Sequence, residues 1–275
     1  MSSGLQLLLI LLALVWSPLQ VNRHQSRGLV DEGERLSHLA DYIVRAAFWM
    51  VFLIGLADLI VSFLRIEGFL PGLIGDEATQ ELGRPHGRAV YVHMPMMVLS
   101  LIIAAMSKSL GFVWLALMVV IAEFQIVIAR FIFSYEQAFM GDLVRFWYAA
   151  LFIFASGYTL LKEGHVRVDV FYANFKPRTK AWCNVVGATL FGIPICWVIL
   201  TMGFGSSSSI IASPLLSIEV SQSGYGLYVK YLMAGFLLVF AVSMMLQFAN
   251  MLLRNIAVIV GQAPASLLEN TSAAH

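Results

Sequence analysis

"LGFVWLALMVVIAEFQIVIAR", residues 110–130, carries two charged side chains in twenty-one positions, Glu123 and Arg130. As a helix it would rise about 30 Å, the thickness of a bilayer's hydrocarbon core. Five further runs have the same character: 44–64, 90–106, 146–161, 182–204 and 228–253. Of these, 90–106 and 146–161 lie near the short limit of about 17 residues for a spanning helix. The whole chain agrees with the reading. Of 275 residues 60% are hydrophobic and 12% are charged, with a mean hydropathy of +0.83. A soluble domain carries about 25% charged residues. The predicted fold is therefore all-α, a polytopic membrane helix bundle of six or seven transmembrane helices. A net charge of +1 leaves no basic surface for nucleic acid.

The seventh candidate is the apolar run 4–20. It has no basic residue before it and ends in Ser17-Pro18, without the small-residue cleavage site of a secretory signal. The expectation is a retained N-terminal helix. Cys183 and Cys196 lie in one apolar run, thirteen positions apart, roughly 20 Å along a helix. They cannot bond to each other, and both read as small buried apolar residues.

Loop charges set the orientation. The 162–181 connection holds Lys162, Arg167, Lys176, Arg178 and Lys180, whereas 205–227 holds no lysine or arginine. The first is predicted to be cytoplasmic and the second external. Region 22–43, the turn at Lys108 and the tail from Arg254 are then cytoplasmic too, and the mixed-charge connection 65–89 is external. Trp114 and Trp182 fall at cytoplasmic span ends, and Trp147, Tyr225, Tyr228 and Tyr231 at external ones, as aromatic anchors would.

Two carboxylates interrupt apolar spans. Asp58 lies two-thirds along 44–64 and Glu123 near the centre of 110–130. A charge at the bilayer centre costs at least about 2.5 kcal/mol, so each must be protonated, paired or turned toward protein. One reading is an ion or proton path; the other is a polar contact between helices. Ala116, Val120, Glu123, Val127 and Arg130 form one helix stripe. Elsewhere, Ala188-x-x-x-Gly192 permits close helix approach, and Gly192-Ile193-Pro194 should kink its helix.

The segment "GHVRVDVFY", 164–172, alternates polar with β-branched or aromatic residues at a cytoplasmic span end. It reads either as a positive-inside flank or as a built element. In the second reading His165, Arg167 and Asp169 share a face, and Asp169 caps a short helix that runs through Lys176 and stops at Pro177.

With "FMGDLVRFWYAALFIFASGYTLLKE" before it and "KPRTKAW" after it, this segment resembles the small permease subunit of tripartite ATP-independent periplasmic (TRAP) transporters, the DctQ-like family. The family pattern falls here on Arg130, on Asp142 with Arg145, and on Gly164, His165, Arg167 and Asp169. The resemblance covers about 107–255. It divides the chain into an N-terminal hydrophobic helix and cytoplasmic linker (1–43), a two-helix membrane extension (44–106), a four-helix core (107–255) and a C-terminal tail (256–275).

The resemblance implies a non-enzymatic scaffold subunit with no cofactor, embedded in membrane lipid at a bacterial inner membrane. Its partners would be a large permease, which carries the sodium and substrate sites, and an extracytoplasmic solute-binding protein. The solute would be an organic acid. Two rivals from other classes are weighed against this. A haem- or quinone-binding anchor of a respiratory enzyme needs axial histidines inside the bilayer, and here His93 and His165 lie at span ends and the other four outside spans. A self-contained transporter would show internal repeats with broken helices meeting at the midplane; this chain has one Gly-Pro interruption.

Overall fold

The computed structural model describes residues 28–109, 111–135, 138–161, 172–220 and 226–264. The run 4–20, the motif residues Gly164, His165, Arg167 and Asp169, and the end of the tail lie outside the described residues.

Among the described residues, six helices are long and apolar enough to cross a membrane: α1 (Leu29–Ile66), α2 (Pro85–Met106), α3 (Phe112–Phe133), α4 (Ala138–Leu161), α5 (Pro177–Phe204) and α6 (Lys230–Val260). Each expected span meets one of them, and the chain is a multi-pass membrane protein built as an all-α bundle. Short helical pieces at Leu70–Ile74 and Asp76–Leu82 join α1 to α2, and another at Ala212–Ser217 lies between α5 and α6.

The boundaries differ most at α1, which starts at Leu29 rather than near 44. Residues 29–43 carry enough charge to break the apolar run, yet they are sound helix. Asp31 and Glu32 occupy the first turn, where the helix dipole favours acids. The Asp31 carboxylate accepts the Gly28 N–H at 3.1 Å, and Arg35 pairs with Glu32 at 3.2 Å. The inner face of this extension is buried at Gly33 and Ala40. A Cβ on Gly33 would lie 2.8 Å from the Asn250 side chain of α6, so glycine lets the two helices meet there.

Pro177 opens α5 at its first turn and stops no preceding helix; residues Tyr172–Asn174 before it form one 3₁₀ turn. That position suits a residue without an N–H. The expected interruption of α5 takes the form of a wide π turn, Ala188–Gly192, immediately before Pro194. A matching turn, Ala89–His93, precedes Pro95 in α2. In each case the carbonyl that proline cannot bond, four residues back, lies inside the π turn, where the wider winding relieves the clash with the ring. Ala188 and Gly192 are buried against α6, and a Cβ on Gly192 would lie 2.6 Å from the Phe248 ring. The small-residue pair does permit close approach.

The long helices α1 and α6 lie side by side, and α4 packs on both. Helix α2 covers another side of α1, α3 packs mainly on α4, and α5 packs on α6. Aromatic rings fill the junction of the three central helices. Phe154 of α4 meets Phe48 of α1 edge-on at 5.5 Å and Phe236 of α6 at 4.9 Å, and Phe146 stacks on Phe236 at 5.4 Å. Trp147 is no interfacial anchor. It is buried, and its indole N–H donates to the Val51 carbonyl of α1 at 3.1 Å. Gly55 makes this possible, because any Cβ there would overlap the indole nitrogen. Tyr228 and Tyr231 are buried as well, whereas Trp114 and Trp182 are exposed, as anchors should be. Cys196 is buried as expected; Cys183 is exposed, on the outward side of α5.

Candidate functional site

The most concentrated polar chemistry in the bundle surrounds Asp58. A lone carboxylate in an apolar span demands donors, and the fold brings three from three directions. Arg88 Nη1, at the start of α2, donates to Asp58 Oδ1 at 2.6 Å. His93 Nε2, one turn further along α2, lies 3.3 Å from the same oxygen. The backbone N–H of Tyr228, just before α6, donates to Oδ2 at 2.8 Å. Asp58, Arg88 and His93 are all fully buried.

A second layer fixes these groups. Arg88 Nε donates to the Leu82 carbonyl at 2.9 Å and Nη1 also reaches Ser62 Oγ at 3.3 Å. Its guanidinium carbon lies 4.9 Å from the centre of the Tyr228 ring, a cation–π distance. The Tyr228 hydroxyl donates to the Gly83 carbonyl at 2.8 Å and accepts from Arg65 Nη1 at 3.0 Å. The second nitrogen of His93, Nδ1, lies 2.8 Å from the Tyr231 hydroxyl. In the neutral tautomer that carries its proton on Nε2, the ring donates to Asp58 and Nδ1 accepts the tyrosine proton. Both ring nitrogens are thus committed to protein partners.

The motif residue Asp142 of α4 completes the arrangement. Its Oδ2 accepts the Leu227 N–H at 3.2 Å, and Oδ1 pairs with Arg145 at 3.4 Å. Two consecutive backbone N–H groups leading into α6, at 227 and 228, are therefore held by two carboxylates from two different helices. Anions near a helix start also complement its dipole. One buried nitrogen of the cluster, Arg88 Nη2, has no hydrogen-bond partner among the described residues. The cluster ties the ends of α1, α2, α4 and α6 together on the side of the 65–89 connection.

The sequence-predicted residues thus separate into three groups. Asp58, Asp142 and Arg145 converge at this cluster. Glu123 and Arg130 lie on α3, both exposed, on a helix whose apolar window is only 11% buried. Gly164, His165, Arg167 and Asp169 are outside the described residues. Sequence reasoning missed Ser62, Arg88, His93, Tyr228 and Tyr231. The signal available was the unpaired Asp58 itself, with Arg88 and His93 flanking the next apolar run at the same end of the bundle.

No curated protein and no solved structure matches the chain. A family model does, the DctQ component of tripartite ATP-independent periplasmic transporters, over residues 116–258. That is just over half of the chain, and it takes in α3 from its second turn, α4, α5 and nearly all of α6. The chain belongs to the DctQ family, the small membrane component of these transporters.

Proposed function

We propose that this subunit is a fixed scaffold beside a large permease in sodium-coupled, binding-protein-dependent uptake of an organic acid across a bacterial inner membrane. Family membership supports the transporter assignment. The observation that carries the scaffold reading is the outer face of α3. Val120, Phe124 and Val127 are 64%, 66% and 49% exposed there, and Glu123 is exposed among them in mid-span. Lipid is an adequate partner for the apolar side chains and a poor one for the carboxylate. A transmembrane helix of the large permease that offers a hydrogen-bond donor at mid-depth satisfies both.

An interhelical polar contact in a membrane is worth about 1 kcal/mol, roughly fivefold in association. Glu123→Leu is expected to lower recovery of the copurified complex by about that factor, while the subunit itself still inserts. Val120→Trp should act in the same direction by crowding the face. Full recovery and full uptake in both variants would remove α3 from the interface.

The same reading extends to His165, Arg167 and Asp169, as a cytoplasmic-edge clasp that performs no chemistry. Arg167 stands between a possible donor and a carboxylate, and its planar fork suits bidentate pairing. Arg167→Ala and Asp169→Ala are each expected to reduce complex stability, and the double variant to lose less than their sum. A shifted pH optimum of uptake in His165→Gln, with the complex intact, would show instead that the segment senses protons.

A further inference from the structure

The start of α5 and the end of α6 enclose an open cavity of about 560 Å³, within the usual range for small-molecule sites of roughly 300–1,000 Å³. Its walls are of two kinds. Lys176 and Arg178 line one side, and Val258, Ile259 and Val260 line the other. Val260 is 64% exposed. Neither cation has a carboxylate within ion-pair distance among the described residues. Near the cavity the two helices are joined by a hydrogen bond. Asn184 of α5 donates to Asn255 of α6 at 3.0 Å and accepts from the Tyr172 hydroxyl at 3.0 Å. Asn255 in turn donates to the Met251 carbonyl at 2.7 Å. The two helices are therefore joined close to the cavity, and Lys180 lies 5.6 Å over the Tyr172 ring.

We propose that this cavity holds the phosphate-bearing headgroup of an anionic phospholipid of the cytoplasmic leaflet. The argument is one of matched chemistry. Two cations without a carboxylate partner among the described residues call for an anion, and Arg178 can offer a phosphate two parallel donors. The adjoining valine and isoleucine side chains suit the first methylenes of an acyl chain, and they offer nothing to a small hydrophilic anion. Loop charges place this end of α5 and α6 at the cytoplasmic surface, where anionic lipids concentrate. Basic pockets between transmembrane helices on that side bind such headgroups. The inference goes beyond the scaffold reading and does not depend on it, because the site is built within one chain.

The test uses the full chain, purified alone in a neutral detergent, with phosphatidylglycerol, phosphatidylcholine or inorganic phosphate added. Native mass spectrometry and the thermal midpoint are read together. The expected result is retention of one phosphatidylglycerol and a raised midpoint, with no comparable effect of phosphatidylcholine or of inorganic phosphate. Lys176→Gln with Arg178→Gln should weaken phosphatidylglycerol retention roughly tenfold or more. Lys108→Gln, at a different cytoplasmic turn, should leave it unchanged. Equal stabilisation by inorganic phosphate would overturn the lipid assignment. Undiminished retention in the double variant, or an equal loss in Lys108→Gln, would overturn the site. Loss of the permease complex would have no bearing on any of these readouts.

Discussion

Arg88→Leu is expected to destabilise the chain by about 3–5 kcal/mol, the cost of leaving a buried charge without its partner. The substitution takes the guanidinium from the Asp58 carboxylate, which keeps only His93 and the Tyr228 N–H, and it also leaves the Leu82 carbonyl without the donor that now reaches it at 2.9 Å. Asp58→Leu should cost a similar amount by stranding the guanidinium. The informative comparison is the double variant Asp58→Leu with Arg88→Leu. Removing both charges avoids the uncompensated ion, so the loss should fall well short of the sum of the single losses. Denaturant unfolding of the full chain in mixed micelles gives all four stabilities. Additive losses would mean that the two side chains are not coupled as the 2.6 Å contact requires. Arg88→Lys should recover only part of the stability, because an ammonium cannot reach Asp58 and the Leu82 carbonyl as the planar fork does.

The second large effect is predicted at Gly55. Its missing side chain is what admits the Trp147 indole to the α1 backbone. Gly55→Ala forces the indole away, which costs about 1–3 kcal/mol in overpacking and about 1 kcal/mol more for the lost hydrogen bond. In most helix interiors the same replacement would be favourable by about 1 kcal/mol, so the sign alone is diagnostic. Trp147→Phe shortens the ring at the point of overlap. In that background Gly55→Ala should cost clearly less, again measured by unfolding. An equal cost in both backgrounds would place the strain somewhere other than this contact.

What the sequence made legible follows from the range over which each signal acts. A spanning helix declares itself within about twenty residues, so all six were readable from apolar runs. Helix α1 was readable only in part, because Asp31, Glu32, Glu34 and Arg35 carry no apolar signal even where the helix continues. Asp58 announced that it needed a partner, but not which one. Its donors lie 30, 35 and 170 positions away, and Arg88 sits in what reads as an external connection. Trp147, Tyr228 and Tyr231 fall where interfacial aromatics are expected, and that rule concealed their burial. The motif residue Asp142 was found by family resemblance, and only the fold gives it a task, holding the Leu227 N–H. The outer face of α3 was legible as a stripe, and its exposure was not.

Helices α1 and α6 meet at two places, closely packed at Gly33 against Asn250 near one end and hydrogen-bonded through Asp58 to the Tyr228 N–H near the other. At 1.5 Å per residue these contacts stand about 35 Å apart along either helix, farther than the hydrocarbon core is thick, about 30 Å. Two rods joined at a single point can scissor; two rods joined at points this far apart resist it. The pair is therefore expected to answer thinning or thickening of the bilayer by tilting together. A neighbour that rises and falls alongside would push against something that tilts and resists shear.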